Sequence, residues 1–278
     1  MKKLSIVLLC AALLGALLTG CLLDFRPRER VDNMEFVRND DGQGYTLVGV
    51  RNVAGEHTLT IPDELNGLPV TGIGAMAIMR SDDLRVIEFG ANLVELHGWA
   101  INNNRFLQEF VVHEDNPAFT THDGVLFSAD MTRLVVYPNA NTAVYVDGEL
   151  QATVSYTVPE GVQTIAHAAF YHAIALHEVV LPSTLRVIET RAFHGAVHIE
   201  QLNLPEGLAH IGNDAFLRMR GLTQITIPST VRYIGDFAFY QAENLTNITI
   251  LAPYEQLTQG RRWLPETGPL SAVTPVWG

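Results

Sequence analysis

Apolar side chains return along this chain with a period too long for one helix and too regular for unrelated strands. From Val162 to Ile250 one phrase occurs four times: Ile165-Ala-His-Ala-Ala-Phe170, Ile188-Glu-Thr-Arg-Ala-Phe193, Ile211-Gly-Asn-Asp-Ala-Phe216 and Ile234-Gly-Asp-Phe-Ala-Phe239. Each Ala-Phe falls 23 residues after the last, and Pro159, Pro182, Pro205 and Pro228 keep the same interval. Ahead of each proline the pattern Leu-x-x-Ile-x-Ile alternates, which predicts a short strand with the Leu and both Ile turned inward. A fixed apolar period of this length predicts a solenoid. One coil cannot bury its own inner face, so the copies are stable only when stacked.

The same beat extends upstream. It begins at Ile61-Pro62, with five extra residues around Asn66-Gly-Leu-Pro69, and continues as Ile73-Gly-Ala-Met-Ala-Ile78 and Leu96-His-Gly-Trp-Ala-Ile101, with Ile in place of Phe. From Ile101 to Phe170 is three periods, but the middle anchors are missing. There, Gly124–Phe127 and Thr132–Tyr137 are expected as strands joined by a turn at Ser128–Met131. A second hairpin is expected around Asp147-Gly148, a dipeptide that favours tight turns. Glu35 to Ile61 is expected to form a β cap with a turn at residues 40–44. After Ile250 the beat fails. Residues 251–278 are either a frayed tail or a cover in which Trp263 and Trp277 close the last coil.

The first residues are of another kind. Lys2 and Lys3 precede an apolar run from Leu4 to Leu18, broken only by Ser5. As a helix this run rises about 22 Å, short of the ~30 Å hydrocarbon core, so it reads as a cleaved leader. It ends in Leu18-Thr-Gly-Cys21, which resembles the lipobox of bacterial lipoproteins. That resemblance implies diacylglycerol on the Cys21 sulfur, cleavage before Cys21, and membrane attachment through acyl chains. Cys10 leaves with the leader, so no free thiol, disulfide or cysteine metal site is expected in the mature chain. The expected organisation is a leader over 1–20, a lipid-anchored tether over 21–34, a β cap over 35–60, a solenoid over 61–250 with an insertion near 113–158, and a tail or cap over 251–278.

Charge narrows the partner. The chain carries 18 basic and 30 acidic side chains, a net charge of −12 that becomes −14 when Lys2 and Lys3 are removed. An acidic surface repels phosphate, so nucleic acid is not expected as a partner.

From Leu222 to Phe239 the chain follows Leu-x-x-Ile-x-Ile-Pro-x-x-Val-x-x-Ile-Gly-x-x-Ala-Phe without a gap. This resembles the BspA-like leucine-rich repeat of bacterial surface proteins. Asn116-Pro-Ala-Phe119, Asp123-Gly-Val-Leu-Phe127 and Leu134-Val-Val-Tyr-Pro138 resemble an element found between repeats in that family, and Asn66 to Gly74 resembles its opening repeat. The likeness spans about Tyr45 to Ile250. It implies a leucine-rich repeat right-handed solenoid, β-dominated, with parallel strands and short turns or 3-10 segments opposite. It also implies binding to proteins or cell surfaces rather than catalysis, without naming a ligand. Two departures stand out: Ala173, Ala196, Met219 and Ala242 replace the family's usual Cys, and Ala166 and Glu189 replace Gly of Ile-Gly.

The inward Leu and Ile residues leave two outward columns on the predicted sheet. One is Glu178, Gln201, Gln224 and Asn247; the other is Val180, Asn203, Thr226 and Thr249. Spaced ~4.8 Å apart, these form ladders across a polar face. They are the candidate partner-binding residues, although amides and threonines also simply solvate a sheet.

Six histidines (His167, His172, His177, His194, His198 and His210) lie within two coils, but at differing phases. No set of three or four ligands converges, so no metal is expected. A structural His177–Glu200 pair across strands is expected. No Gly-x-Ser-x-Gly, His-Glu-x-x-His or phosphate loop occurs, so neither enzymatic activity nor a cofactor is expected. Glu88 and Glu109 are placed on adjacent strands, but a flat sheet lacks the cleft a glycosidase needs.

The sequence therefore points to a cell-envelope lipoprotein, exposed at the surface, whose solenoid binds a host or neighbouring-cell protein. An internal envelope scaffold and a glycan-binding protein or hydrolase stand as alternatives.

Overall fold

The computed structural model describes residues 26–51, 55–141, 145–146, 149–150, 154–265 and 276–277. The leader and Cys21 lie outside the described residues. The chain forms a β-solenoid of about nine turns with mostly parallel strands.

The coil of residues 222–245 shows why each turn closes. In Gln224–Ile227 the strand alternation turns Ile225 and Ile227 into the core and Gln224 and Thr226 outward. Pro228 ends the strand. The chain then makes a two-residue strand, Tyr233–Ile234, and returns through a third side built only of turns. On that side two residues per coil take positive φ: Trp99 and Asn103, Ala168 and His172, Arg191 and Gly195, Asp214 and Arg218, Phe237 and Gln241.

Left-handed backbone costs a non-glycine residue about 1–2 kcal/mol. Here it aims alternate N–H groups along the solenoid axis. Phe216 N–H donates to Ala238 O of the next coil at 2.8 Å, while Leu217 N–H donates back to Asp214 O at 3.1 Å. The strain is offset because both sets of backbone groups are satisfied. Among the described residues the only helix is the 3-10 turn Tyr254–Gln256; the side opposite the sheet consists of β-turns.

Stacked coils give two parallel sheets. The front sheet has two pieces. One joins Thr58–Thr60, Val86–Phe89 and Glu109–Val112; the other runs from Val154–Thr157 through Leu176–Val180, Gln201, Gln224–Ile227 and Asn247–Ile250 to Val276–Trp277. The side ladder joins Arg133–Val136, Thr164–Ile165, Val187–Ile188, His210–Ile211, Tyr233–Ile234 and Thr258–Gln259. Behind them Phe170, Phe193, Phe216 and Phe239 form a column with ring centroids 4.8, 5.7 and 4.9 Å apart. Tyr137 stacks on its first ring at 5.1 Å, and Trp263 meets its last edge-on at 6.3 Å.

Several boundaries differ from the sequence expectation. Arg28–Val31, placed in the tether, is a strand antiparallel to Met34–Arg38, so the cap sheet starts before residue 35. The reason is electrostatic: Arg28, Arg30 and Arg51 all reach the buried Glu35 carboxylate, at 2.8, 2.9 and 2.8 Å. At the other end the sequence beat stops at Ile250, but the coil does not. Leu257 and Trp263 are buried, and Thr258–Gln259 continues the side ladder. The extra residues near Asn66 make a hairpin, Glu64–Leu65 against Leu68–Ile73, with Asn66 and Gly67 both at positive φ. This is the geometry an Asn-Gly turn supplies.

In the insertion, Phe119–His122, Val125–Ser128 and Arg133–Val136 form an antiparallel meander, close to the strands expected there. Tyr145–Val146 pairs with Glu149–Leu150 on either side of Asp147-Gly148, which itself lies outside the described residues. The meander also divides the core. Val125 and Phe127 belong to the cluster that runs on to Trp263, whereas Leu126 between them belongs to the cluster that begins at Met34. One strand thus inserts alternate side chains into both cores.

Candidate functional site

The front sheet sets the two columns in register. Ser155, Glu178, Gln201, Gln224 and Asn247 are Cα partners in sequence, as are Thr157 with Val180 and Thr226 with Thr249. Glu178, Gln201, Gln224, Asn247, Val180, Asn203 and Thr226 are exposed, and Thr249 is partly so. Asn203 lies two residues beyond Gln201, beside Val180 and Thr226, and helps line two depressions on this face. One also holds Glu178, Val180 and Gln201; the other holds Gln224, Thr226, Asn247 and Thr249.

Other surface columns are knitted from coil to coil by their own side chains. Glu160 accepts from Ser183, Glu206 accepts from the Ser229 hydroxyl, and Arg218 donates to Gln241. Arg191 pairs with Asp214 at 2.9 Å, and Arg133 grips Glu189 through two bonds of 2.6 and 2.7 Å. Glu189 also accepts the His167 N–H at 2.9 Å. Burial raises the Glu189 pKa, but the Arg133 guanidinium outweighs it and holds the carboxyl below its ordinary range.

The front columns are different. Their carboxylate, amide and hydroxyl groups make no side-chain hydrogen bond among the described residues, so each donor and acceptor is open to a partner. Further toward the N-terminus the sheet is partly self-satisfied, since Thr60 donates to Glu88 at 2.6 Å. Glu88 and Glu109 do sit on adjacent strands, but Glu109 faces Val86 while Glu88 faces Val111, so the two carboxylates lie diagonally on an open sheet.

The histidines are placed by stacking. His177 lies on His198 with centroids 5.3 Å apart, rather than against Glu200 as expected. Their Nδ1 atoms approach the Ala175 and Ile174 carbonyl oxygens. His194 is buried beside Tyr171 and His172, at 4.9 and 5.8 Å, and its Nδ1 has no partner. Among the described residues no three His, Cys, Asp or Glu side chains gather as a metal site would need. Sequence reasoning missed a cluster on the turn side, where Trp99 lies 5.6 Å from Tyr171 and 4.5 Å beneath the Arg191 guanidinium. The phase of Trp99 and Arg191 in the repeat was a signal, but the contact bridges coils separated by the insertion.

Residues 150–260 match the model of the BspA type leucine rich repeat region in six copies. Similar solved structures include the pneumococcal vaccine antigen PcpA, at 17% identity over 89% of each chain with a TM-score of 0.48. A leucine-rich cell surface protein from Faecalibacterium prausnitzii is 19% identical over 86% of this chain and 73% of its own, with a TM-score of 0.45. The T. pallidum leucine rich repeat protein is 16% identical over 86% of this chain and 84% of its own, with a TM-score of 0.39. Among curated proteins none matches. With six matching copies stacked behind the front sheet, residues 150–260 of this chain are a BspA-type leucine-rich repeat region.

Proposed function

We propose that the protein is a lipid-anchored envelope protein whose front sheet docks a protein partner at the bacterial surface. The observation that carries this reading is the contrast between columns. Side chains elsewhere on the coils bond to their neighbours, whereas Glu178, Gln201, Gln224, Asn247, Asn203, Thr226 and Thr249 keep their polar groups free on a rigid ladder. Such a face binds without first breaking internal side-chain hydrogen bonds. Exposed Val180, 46% accessible, adds an apolar contact among them. A protein fits this surface better than a small molecule, because the free groups are spread over several coils. The Cys21 motif supports attachment to the membrane, and the partner is then a protein of a host or a neighbouring cell.

Three arginines test the face directly. The Gln201→Arg, Gln224→Arg, Thr226→Arg triple variant is expected to weaken partner binding at least about tenfold, the effect of 1.4 kcal/mol. The positions are exposed, so each change should alter stability by no more than about 0.5 kcal/mol. Binding that is unchanged in a variant that melts normally would remove the front sheet from the interface.

A further inference from the structure

The turn side of the solenoid is held by a repeated trio of N–H groups. In each complete coil, the first left-handed residue, the anchor two residues later and the second left-handed residue donate to carbonyls of the next coil. Ala168, Phe170 and His172 do so at 3.1, 2.7 and 2.9 Å, and Arg191, Phe193 and Gly195 at 2.9, 2.8 and 2.8 Å. Upstream, Met76, Ile78 and Arg80 donate in the same way to Trp99, Ala100 and Asn102. The equivalent residues of the following coil are Trp99, Ile101 and Asn103, and the Trp99 and Asn103 N–H groups have no hydrogen-bond partner among the described residues.

The cause is a local shortening of the chain. Across the corner, other coils run from the ladder Ile to the anchor Phe in five steps, as from Ile165 to Phe170. The segment that should sit on Trp99 runs from Leu134 to Tyr137 in three. Both ends are fixed in register: Leu134 pairs with Ile165, and Tyr137 donates to Ala169 O at 2.8 Å and stacks on Phe170. The two missing residues are therefore the corner itself. In their place is a crevice of about 180 Å³, lined by Gly98, Trp99, Ile101, Arg133, Val136 and His167 among others. The Trp99 indole Nε1–H is also buried without a partner.

We infer that this crevice is a peptide-binding site that takes about two residues of a partner's main chain, a carbonyl oxygen of which accepts the Trp99 N–H. The pairing is β-augmentation moved to the turn side: main-chain bonds give the affinity, and the crevice walls select the side chains. Val135, Val136, Ala166 and Ala168 on those walls suit small apolar side chains. The free groups at the mouth are donors, which matches carbonyl acceptors. Arg133 is already neutralised by Glu189, so a charged ligand gains little there. The site lies away from the front columns and stands or falls independently of them.

Amide hydrogen exchange on the whole protein tests the inference, with acetyl-Ile-Ala-His-Ala-Ala-Phe-amide, the sequence of residues 165–170, as the probe. Without peptide, the Trp99 amide should exchange at least about tenfold faster than that of Ala168, which holds the same coil position and is bonded. With peptide at ten times its Kd, it should slow by about tenfold. Inserting two alanines between Val135 and Val136 rebuilds the corner, and should protect the Trp99 amide without peptide and abolish its effect. A Trp99 amide as slow as that of Ala168 in the free protein would overturn the inference. So would Trp99 exchange that is indifferent to millimolar peptide.

Discussion

His194 shows how one residue ties the fold to pH. Burial lowers its pKa first, and the neighbouring His172, Arg191 and Arg218 lower it further, to about 4. His172, His167 and His210 are lowered too, each chiefly by burial. A depressed histidine pKa means that the unfolded chain takes up the proton first as pH falls. Stability is therefore full above about pH 6.5 and is lost as pH falls toward 4. For the 9%-exposed His194 the loss is on the order of 3 kcal/mol. Denaturant unfolding between pH 7 and 4.5 should show this slope, and His194→Phe should reduce it. An unchanged slope in the variant would mean that His194 is not the group being titrated.

Residues of the alternating strands were legible in the sequence, because a period of two fixes inside and outside: Ile225 and Ile227 are buried, and Gln224 and Thr226 are out. The histidines were not, because ring stacking such as His177 on His198 depends on rotamers that no spacing reveals.

At the scale of the coil, the Ile-Gly pattern acquires a physical cause. A Cβ on Gly212 would lie 2.5 Å from Thr190 N and 2.6 Å from Glu189 C of the preceding coil. Backbone cannot yield as a flexible side chain does, so Gly212→Ala is expected to cost about 1–3 kcal/mol in denaturant unfolding. A neutral result would show that the coils are not in the close contact described. Two coils earlier the same phase holds Ala166, and one coil earlier Glu189, whose carboxylate is used by Arg133 and the His167 N–H. Of the two departures, Ala166 follows the shortened corner, whereas Glu189 follows a full coil and its carboxylate is used in bonds to other coils.

This corner was only half legible. Its strands follow from alternation, but the crevice arises from two residues that are missing, and an absent residue leaves no pattern. The N-terminal strand escaped for another reason: Arg28 and Arg30 are held by Glu35, an ionic face that apolar periodicity does not register. The final coil was half legible: Trp263 was expected in one of two readings as a cover and does cap the Phe column, whereas Leu257 and the strand Thr258–Gln259 continue the coil without keeping the beat.

Over the whole molecule, two core clusters share one strand, with Leu126 in the first and Val125 and Phe127 in the second. The meander holds the solenoid together while dividing its surface. The N-terminal front sheet partly satisfies itself through Thr60 and Glu88, and the C-terminal piece carries the free columns. If Cys21 bears lipid, the anchored end is the cap, and the free columns lie in the part of the chain furthest in sequence from the anchor. The columns were legible in the sequence as exposed positions on the sheet, whereas no partner was.

The most direct measurement is photocrosslinking on intact cells, with a photoreactive side chain at Gln224 and, as a matched control, at Arg232 beside the side ladder. A discrete adduct with a surface protein is expected at Gln224 and none at Arg232. No adduct at Gln224, or the same adduct from both positions, would contradict the claim that the front sheet is the docking face.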